Sequence, residues 1–321
     1  MQRKKTRLVS KFMTKDSSGT SFSKLQIQSW AERNGFADWA VALIWLIVAF
    51  VMFQVTAGVI FFALLLAYGE ISSAAEVEQV LHNHLDLLFI GNSTGQIVFL
   101  GAATFLITKL HLKEEGVAQF LRLRWKQDTS TYIFLGALLI VVVQPIILYL
   151  GYFNSLVPIP ESWTDLQVSQ YEMFEQFLKT DGILWFGLFH IALVPAICEE
   201  VLFRGYIFRA FQRSWGILLA IILSGLVFGM FHLQVPNLLP LASLGILLAA
   251  MTWLSRSIWP AIVAHFVNNG GAVLLATTYP ELAFGDVTAE TLPSVWLLLA
   301  SIILTAGVIY TMIYRTEAIL E

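Results

Sequence analysis

The chain alternates between long apolar runs and short polar breaks, and eight of those runs reach the length of about 20 residues that crosses a bilayer as a helix. They lie near 39–67, 88–110, 133–153, 183–203, 215–233, 238–255, 258–277 and 295–314. The first is long enough to tilt or to begin in the interface. Runs five to seven are separated only by "LQVPN" and "SRSIWP", where Pro236 and Pro260 fall in a first helical turn that needs no N–H from them. The pattern predicts an all-α fold: a polytopic membrane helix bundle with about eight transmembrane helices. Two flanking stretches, "KLQIQSWAERNGFADWA" and "VSQYEMFEQFLK", carry apolar residues at helical spacing among polar ones. They are expected to lie on the membrane surface as braces.

Charge tests this count independently. Positive residues collect in cytoplasmic loops. With eight crossings one side holds the N-terminus, 111–132, 204–214, residue 256 and the C-terminus, and eighteen of the 19 Lys and Arg fall on or beside it. Only Lys179 lies opposite, where 12 of the 22 acids sit. Both N- and C-termini are therefore expected in the cytoplasm. Composition agrees, with 57% hydrophobic and only 13% charged residues against about 25% charged in ordinary globular chains. The expected location is multi-pass in a bacterial plasma membrane. A net charge of −3 and the lack of a phosphate loop or basic patch point away from nucleic acid. The single cysteine, Cys198, excludes an internal disulfide. Arg3, Lys4, Lys5 and Arg7 resemble a signal n-region, but no apolar region follows before residue 39, so no signal peptide is expected. The chain divides into an N-terminal segment at 1–36, N-terminal spans and loops at 37–182, a chemically distinctive core at 183–277, and a last loop, span and tail at 278–321.

Ionisable residues cost about 3 kcal/mol or more inside hydrocarbon, so they are functional candidates there. "LVPAICEEVLFRG", from Leu193 to Gly205, holds three. Glu200 and Arg204 share a helix face and can pair. Glu199 points about 100° away and is free to face another group. Pro195 can kink the helix and make room for a water beside Glu199. Cys198 reads as packing filler. "FGMFH" puts Phe228 and His232 on one face of span five, with Gly225 and Gly229 as a strip for close helix approach. "HFVNN" puts His265 one turn before Asn269 in span seven, with Asn268 also in reach, so the choice between the two amides stays open. Gly270 and Gly271 read as close-packing positions. His190 falls on the far side of its helix from Glu199 and reads as a structural hydrogen-bonding residue. His82, His84 and His111 are placed in loops.

Together these groups match the needs of peptide hydrolysis: an activated water, a proton shuttle and donors to an oxyanion. Glu199 can take the proton, His232 can hold the water and serve the leaving amine, and His265 with Asn269 can face the oxyanion. Glu200 and Arg204 would support the helix. Glu199, His232 and His265 also make a three-ligand zinc set, although H-E-x-x-H is absent. Depth poses a difficulty. If span four ends near residue 203, Glu199 lies at the cytoplasmic edge while His232 lies about 25 Å deep. The groups converge if span four continues helically towards Phe211, which is the expected arrangement.

The motifs "EEVLFR", "FGMFH" and "HFVNN", in that order, resemble E-E-x-x-x-R, F-x-x-x-H and H-x-x-x-N of the CAAX-protease and bacteriocin-processing (Abi) family of intramembrane endopeptidases. The resemblance covers about residues 183–277. It implies a helical membrane endopeptidase that cleaves near the C-terminus of prenylated proteins in eukaryotic members and matures or degrades peptides in some bacterial ones. By motif match Glu199 and His232 activate water, His265 and Asn269 form the oxyanion site, and Glu200, Arg204 and Phe228 support. A metal-free glutamate mechanism is preferred to zinc. The implied partners are the lipid bilayer and a membrane-tethered or lipidated peptide or protein substrate. A non-catalytic immunity or scaffold protein is the alternative, and a transporter is disfavoured because no inverted repeat is read.

Overall fold

The computed structural model describes residues 34–68, 84–112, 116–285 and 288–320. Among the described residues every regular element is helical. The main helices are α1 (Asp38–Tyr68), α2 (Leu85–His111), α3 (Thr129–Ser155), α4 (Glu161–Leu178), α5 (Leu184–Trp215), α6 (Ile217–Phe231), α7 (Leu238–Ser255), α8 (Trp259–Thr278) and α9 (Val295–Leu320). All but α4 and α6 make up seven helices long and apolar enough to cross a membrane. The chain is thus an integral, multi-pass membrane protein. The amphipathic stretch from Val168 to Leu178 is helical, within α4. Most of the other, Lys24 to Arg33, lies outside the described residues.

The fifth expected crossing differs from the rest. Helix α6 has 15 residues, about 22 Å of rise against about 30 Å of hydrocarbon. Gly216, at φ 78°, starts it, and the turn through Leu233, at φ 54°, follows its end. The helix is shorter than its apolar run because the backbone turns at Gly216 and at Leu233 end it on both sides.

That junction is possible because α5 runs on to Trp215, a single helix of 32 residues. Hydropathy falls after Phe203 because Arg204, Arg209 and Arg213 interrupt the run. The arginines are nevertheless tolerated. Arg204 pairs with Glu200, and the guanidiniums of Arg209 and Arg213 lie over Phe120 at 5.5 and 4.8 Å. Helix α5 is the axis of the bundle: Leu202, Phe203, Tyr206, Ile207, Phe208 and Ala210 are all fully buried. A helix apolar on every side needs neighbours on every side, and residues of α1, α2 and α6 close the same cluster. On the side of the 116–128 connection, Phe120 and Leu121 are also fully buried, and Arg122 O and Leu123 O accept from Ile258 N and Trp259 Nε1.

Helix α5 changes pitch twice. Leu188–Leu193 and Val201–Ile207 are π-helical and flank an α-helical Val194–Glu200. Pro195 opens that middle stretch, as a residue without an N–H must. Helix α2 has its own π stretch, Gln96–Ala102, which packs on Val194–Glu200 with Gly101 against Cys198. Cys198 is buried filler, as read from the sequence.

Helices α6 and α7 pack at backbone contact. A Cβ on Gly225 would sit 2.6 Å from Ile246 N, and one on Gly245 would sit 2.8 Å from Gly225 O. Gly229 faces Ala242 the same way. Gly271, read as a close-packing position, instead faces open space. His111 is also not in a loop: α2 reaches it and buries it between Asp38 Oδ1 at 2.9 Å and Tyr206 OH at 2.8 Å. His190 is structural as expected, bonded through Nδ1 to Ser93 Oγ at 2.8 Å and stacked on Phe186.

The α6–α7 contact makes a direct prediction. Gly225→Val must push the two backbones apart and is expected to cost about 1–3 kcal/mol, seen as a lower unfolding midpoint in detergent. Gly271→Ala should leave that midpoint unchanged; equal midpoints for both variants and wild type would contradict the packing described.

Candidate active site

Helices α5 and α6 form an antiparallel pair about Gly216. Measured from Gly216 at 1.5 Å per residue, Glu199 on α5 and His232 at the end of α6 stand about 25 and 24 Å away. They are level, which removes the depth difficulty. His232 Nε2 and Glu199 Oε2 face one another at 3.9 Å. His232 Nδ1 is 2.8 Å from the carbonyl oxygen of Phe228. A carbonyl only accepts, so Nδ1 carries a proton, and in the neutral ring Nε2 presents its lone pair. Two acceptors therefore confront each other across a gap too long for a direct bond. Glu199 is 7% exposed, and its Oε2 has no hydrogen-bond donor within reach among the described residues. The His232 side chain is more open, at 25%.

Glu200 leaves the helix in another direction and is fully buried. Its Oε1 accepts from Arg204 Nη1 at 2.8 Å and from His265 Nδ1 at 2.9 Å. The i,i+4 pair expected from the sequence is therefore formed, and a second partner is added from α8. Arg204 is fully buried and also donates Nη2 to Gly245 O at 3.1 Å. That carbonyl lies on α7 at the close contact with α6. The Phe228 ring lies beneath the Arg204 guanidinium at 4.3 Å and edge-on to both His232 and His265. Phe228 thus separates the two Glu–His couples and gives the buried cation a π face, an interaction worth about 2 kcal/mol when desolvated.

On α8 the amide beside His265 is Asn269. Its Nδ2 lies 3.2 Å from His265 Nε2 and 3.3 Å from Ile191 O. The Ile191 carbonyl is available for a local reason. Its α-helical partner would be the N–H four residues on, which is Pro195 and has none. Asn268 stands one step back and donates to Asn269 Oδ1 at 3.1 Å. Behind it, Gln144 of α3 donates to Asn268 Oδ1 at 3.2 Å. The sequence reading passed over Gln144; its signal was a single amide beside Pro145 inside an otherwise apolar run.

Glu199, Glu200, Arg204, Phe228, His232, His265 and Asn269 are thus gathered at one level of the bundle, on α5, α6 and α8. The zinc set does not fit this arrangement. Both nitrogens of His265 are occupied, by Glu200 and Asn269, and among the described residues no three His, Cys, Asp or Glu side chains come together to hold a metal ion.

Residues 181–271 match the family model described as Type II CAAX prenyl endopeptidase Rce1-like. The chain is also 30% identical over 84 residues to the "Putative membrane peptidase YdiL" of Bacillus subtilis (strain 168). That alignment covers 26% of this chain and 34% of the relative, so the chain matches only about a third of that protein's length. No solved structure matches. The resemblance to the CAAX-protease and bacteriocin-processing family, inferred from the three motifs, therefore holds over the region that carries the site.

The fully buried Glu200–Arg204 pair sets a stability prediction. Arg204→Leu leaves a buried carboxylate without its cation and is expected to cost about 3–5 kcal/mol. Removing both charges with Glu200→Gln and Arg204→Leu should recover part of that loss in a double-mutant cycle of unfolding midpoints. A double variant less stable than Arg204→Leu would contradict the pairing.

Proposed function

We propose, from the premise that residues 181–271 form the core of an Rce1-like membrane peptidase, that this chain hydrolyses peptide bonds of membrane-tethered or lipidated substrates with a water activated by Glu199 and His232. The observation that carries this reading is the pair of acceptors, Glu199 Oε2 and His232 Nε2, facing across 3.9 Å. A water donates two hydrogen bonds, and this gap offers an acceptor for each. Its oxygen lone pairs are then left to face an incoming carbonyl carbon.

The proposed sequence follows from the protonation sites. Glu199 takes one proton from the water as its oxygen bonds to the scissile carbonyl carbon. The carbonyl oxygen becomes an oxyanion. The proton passes to His232 Nε2, which has a free lone pair, and from there to the leaving nitrogen as the C–N bond breaks. One water is consumed, and one carboxylic acid and one amine are formed. Asn269 Nδ2, whose two N–H groups bond Ile191 O and His265 Nε2 at rest, turns one of them to the oxyanion, and losing such a donor typically costs about 2.7–4 kcal/mol of transition-state stabilisation. His265, with its Nδ1 proton on Glu200, holds Asn269 in place. Glu200 and Arg204 fix His265 and the α5 helix. This division narrows the sequence expectation that His265 and Asn269 would both donate.

The route to the site favours a substrate already in the membrane. The surrounding helices are apolar on their outer faces, with Ile222, Leu226 and Met230 of α6 exposed, and the His232 side chain is more open than Glu199. No step calls for a metal ion.

Glu199→Gln keeps the side-chain shape and removes the base. Cleavage of a lipid-anchored fluorogenic peptide by the purified chain in vesicles is expected to fall by about 10²–10⁴-fold, with an unchanged unfolding midpoint. Wild-type cleavage should survive exhaustive chelation. A Glu199→Gln variant that cleaves as fast as wild type would sink the assignment of the base; no cleavage by wild type, with equal biological protection from wild type and Glu199→Ala, would favour a scaffold protein.

A further inference from the structure

The amides of Gln144, Asn268 and Asn269 make a chain of hydrogen bonds that has one direction. An amide can be turned over, exchanging its oxygen for its NH2, and only its partners fix which way it points. Here two partners are backbone carbonyls, which only accept. Gln144 Nε2 lies 2.9 Å from Ile140 O, which fixes Gln144. Asn269 Nδ2 lies 3.3 Å from Ile191 O, which fixes Asn269. Asn268 between them then has one arrangement: its Oδ1 accepts from Gln144 and its Nδ2 donates to Asn269 Oδ1. At the far end Asn269 Nδ2 meets His265 Nε2. An N–H pointing at that nitrogen requires a lone pair there, so the ring proton is on Nδ1, where Glu200 accepts it.

We infer that Gln144 and Asn268 are positioning residues that set the direction of Asn269, so that its NH2 rather than its carbonyl oxygen faces His265 and the reacting carbonyl. The inference rests on the proteolytic reading for its consequence, though not for its geometry. Reversing Asn269 would turn an oxygen towards a developing oxyanion and repel it. Reversal is not local. It breaks the bond to Ile191 O, sets two NH2 groups against each other at Asn268, and then requires Asn268 and Gln144 to turn as well, which breaks the bond to Ile140 O. The chain therefore has two whole states, and the two backbone carbonyls select one. Without Gln144 the anchor at α3 is lost, and Asn268 and Asn269 can turn together, giving up the Ile191 contact and setting Asn269 Oδ1 against His265 Nε2, which then needs a proton of its own.

The test is Gln144→Met in the full chain, reconstituted in lipid. Methionine keeps the length, removes the donor and adds no charge to an apolar environment. With a lipid-anchored peptide, kcat is expected to fall about tenfold, the value of one typical hydrogen bond, while KM stays within about twofold. Nitrogen-15 NMR of histidine-labelled protein at neutral pH supplies a readout independent of turnover. Wild type should show His265 protonated at Nδ1 alone, and Gln144→Met should show a share of His265 that also carries a proton on Nε2, facing the reversed Asn269 oxygen, with Nδ1–H still on Glu200. Identical His265 spectra in the two proteins would overturn the inference. So would an unchanged kcat in Gln144→Met when Glu199→Gln abolishes cleavage, and that result would leave the proteolytic reading standing. If wild type cleaves nothing, the proteolytic reading falls, and the spectra alone uphold or overturn the assignment of direction.

Discussion

The arrangement depends on one buried anion. Glu200 lies in the middle of the bundle, beyond the reach of solvent, and is held by a guanidinium from its own helix and an imidazole from α8. A lone carboxylate there would be too costly to keep ionised. With two donors it becomes a joint. It fixes α8 to α5, sets the tautomer of His265, and draws Arg204 inward, where a second guanidinium nitrogen reaches Gly245 O on α7. Three helices are registered by one oxygen atom and one cation. Glu199, next in sequence, is released from this work and faces the other way. Two adjacent glutamates thus meet opposite needs because 100° of helical rotation separates them.

The irregularity of α5 follows from the same demand. A straight α-helix with Pro195 inside would be left with a carbonyl lacking its donor. Here π turns on either side absorb the mismatch, as single wide turns at functional sites commonly do. The carbonyl of Ile191, whose i+4 position is Pro195 and has no N–H, accepts from Asn269 Nδ2.

Much of this was legible in the chain. Apolar runs located every main crossing, because a bilayer forces backbone groups to pair within helices. The ionisable residues stood out because hydrocarbon makes them costly. Spacing gave Glu200–Arg204 correctly and separated Glu199 from it. Two things were hidden. The true length of α5 was masked by Arg204, Arg209 and Arg213, whose charges look like a membrane edge until Phe120 and Glu200 are seen beside them. Partners across helices were hidden as well. His111 looked like a loop histidine because nothing local announces Asp38 and Tyr206, which lie 73 and 95 residues away. Gln144 was hidden for the same reason: one amide in an apolar run has no periodicity, and its role exists only through Asn268, 124 residues on.

The division between shared and particular features falls along the same line. The region matching the Rce1-like model, 181–271, contains all seven gathered groups and the Ile191 carbonyl. Gln144 lies outside it on α3, as do Asp38 on α1 and His111 on α2. The matched region supplies every side chain and every charge of the candidate site, yet it leaves the last amide of the chain, Asn268, without its anchor. Helix α3 provides that anchor across the same interface where Gly136 meets Pro260 O and Ala264 of α8. A core with complete chemistry still needs a neighbouring helix to choose between two orientations of one amide. A match confined to the core therefore covers the candidate groups without the contacts that orient them.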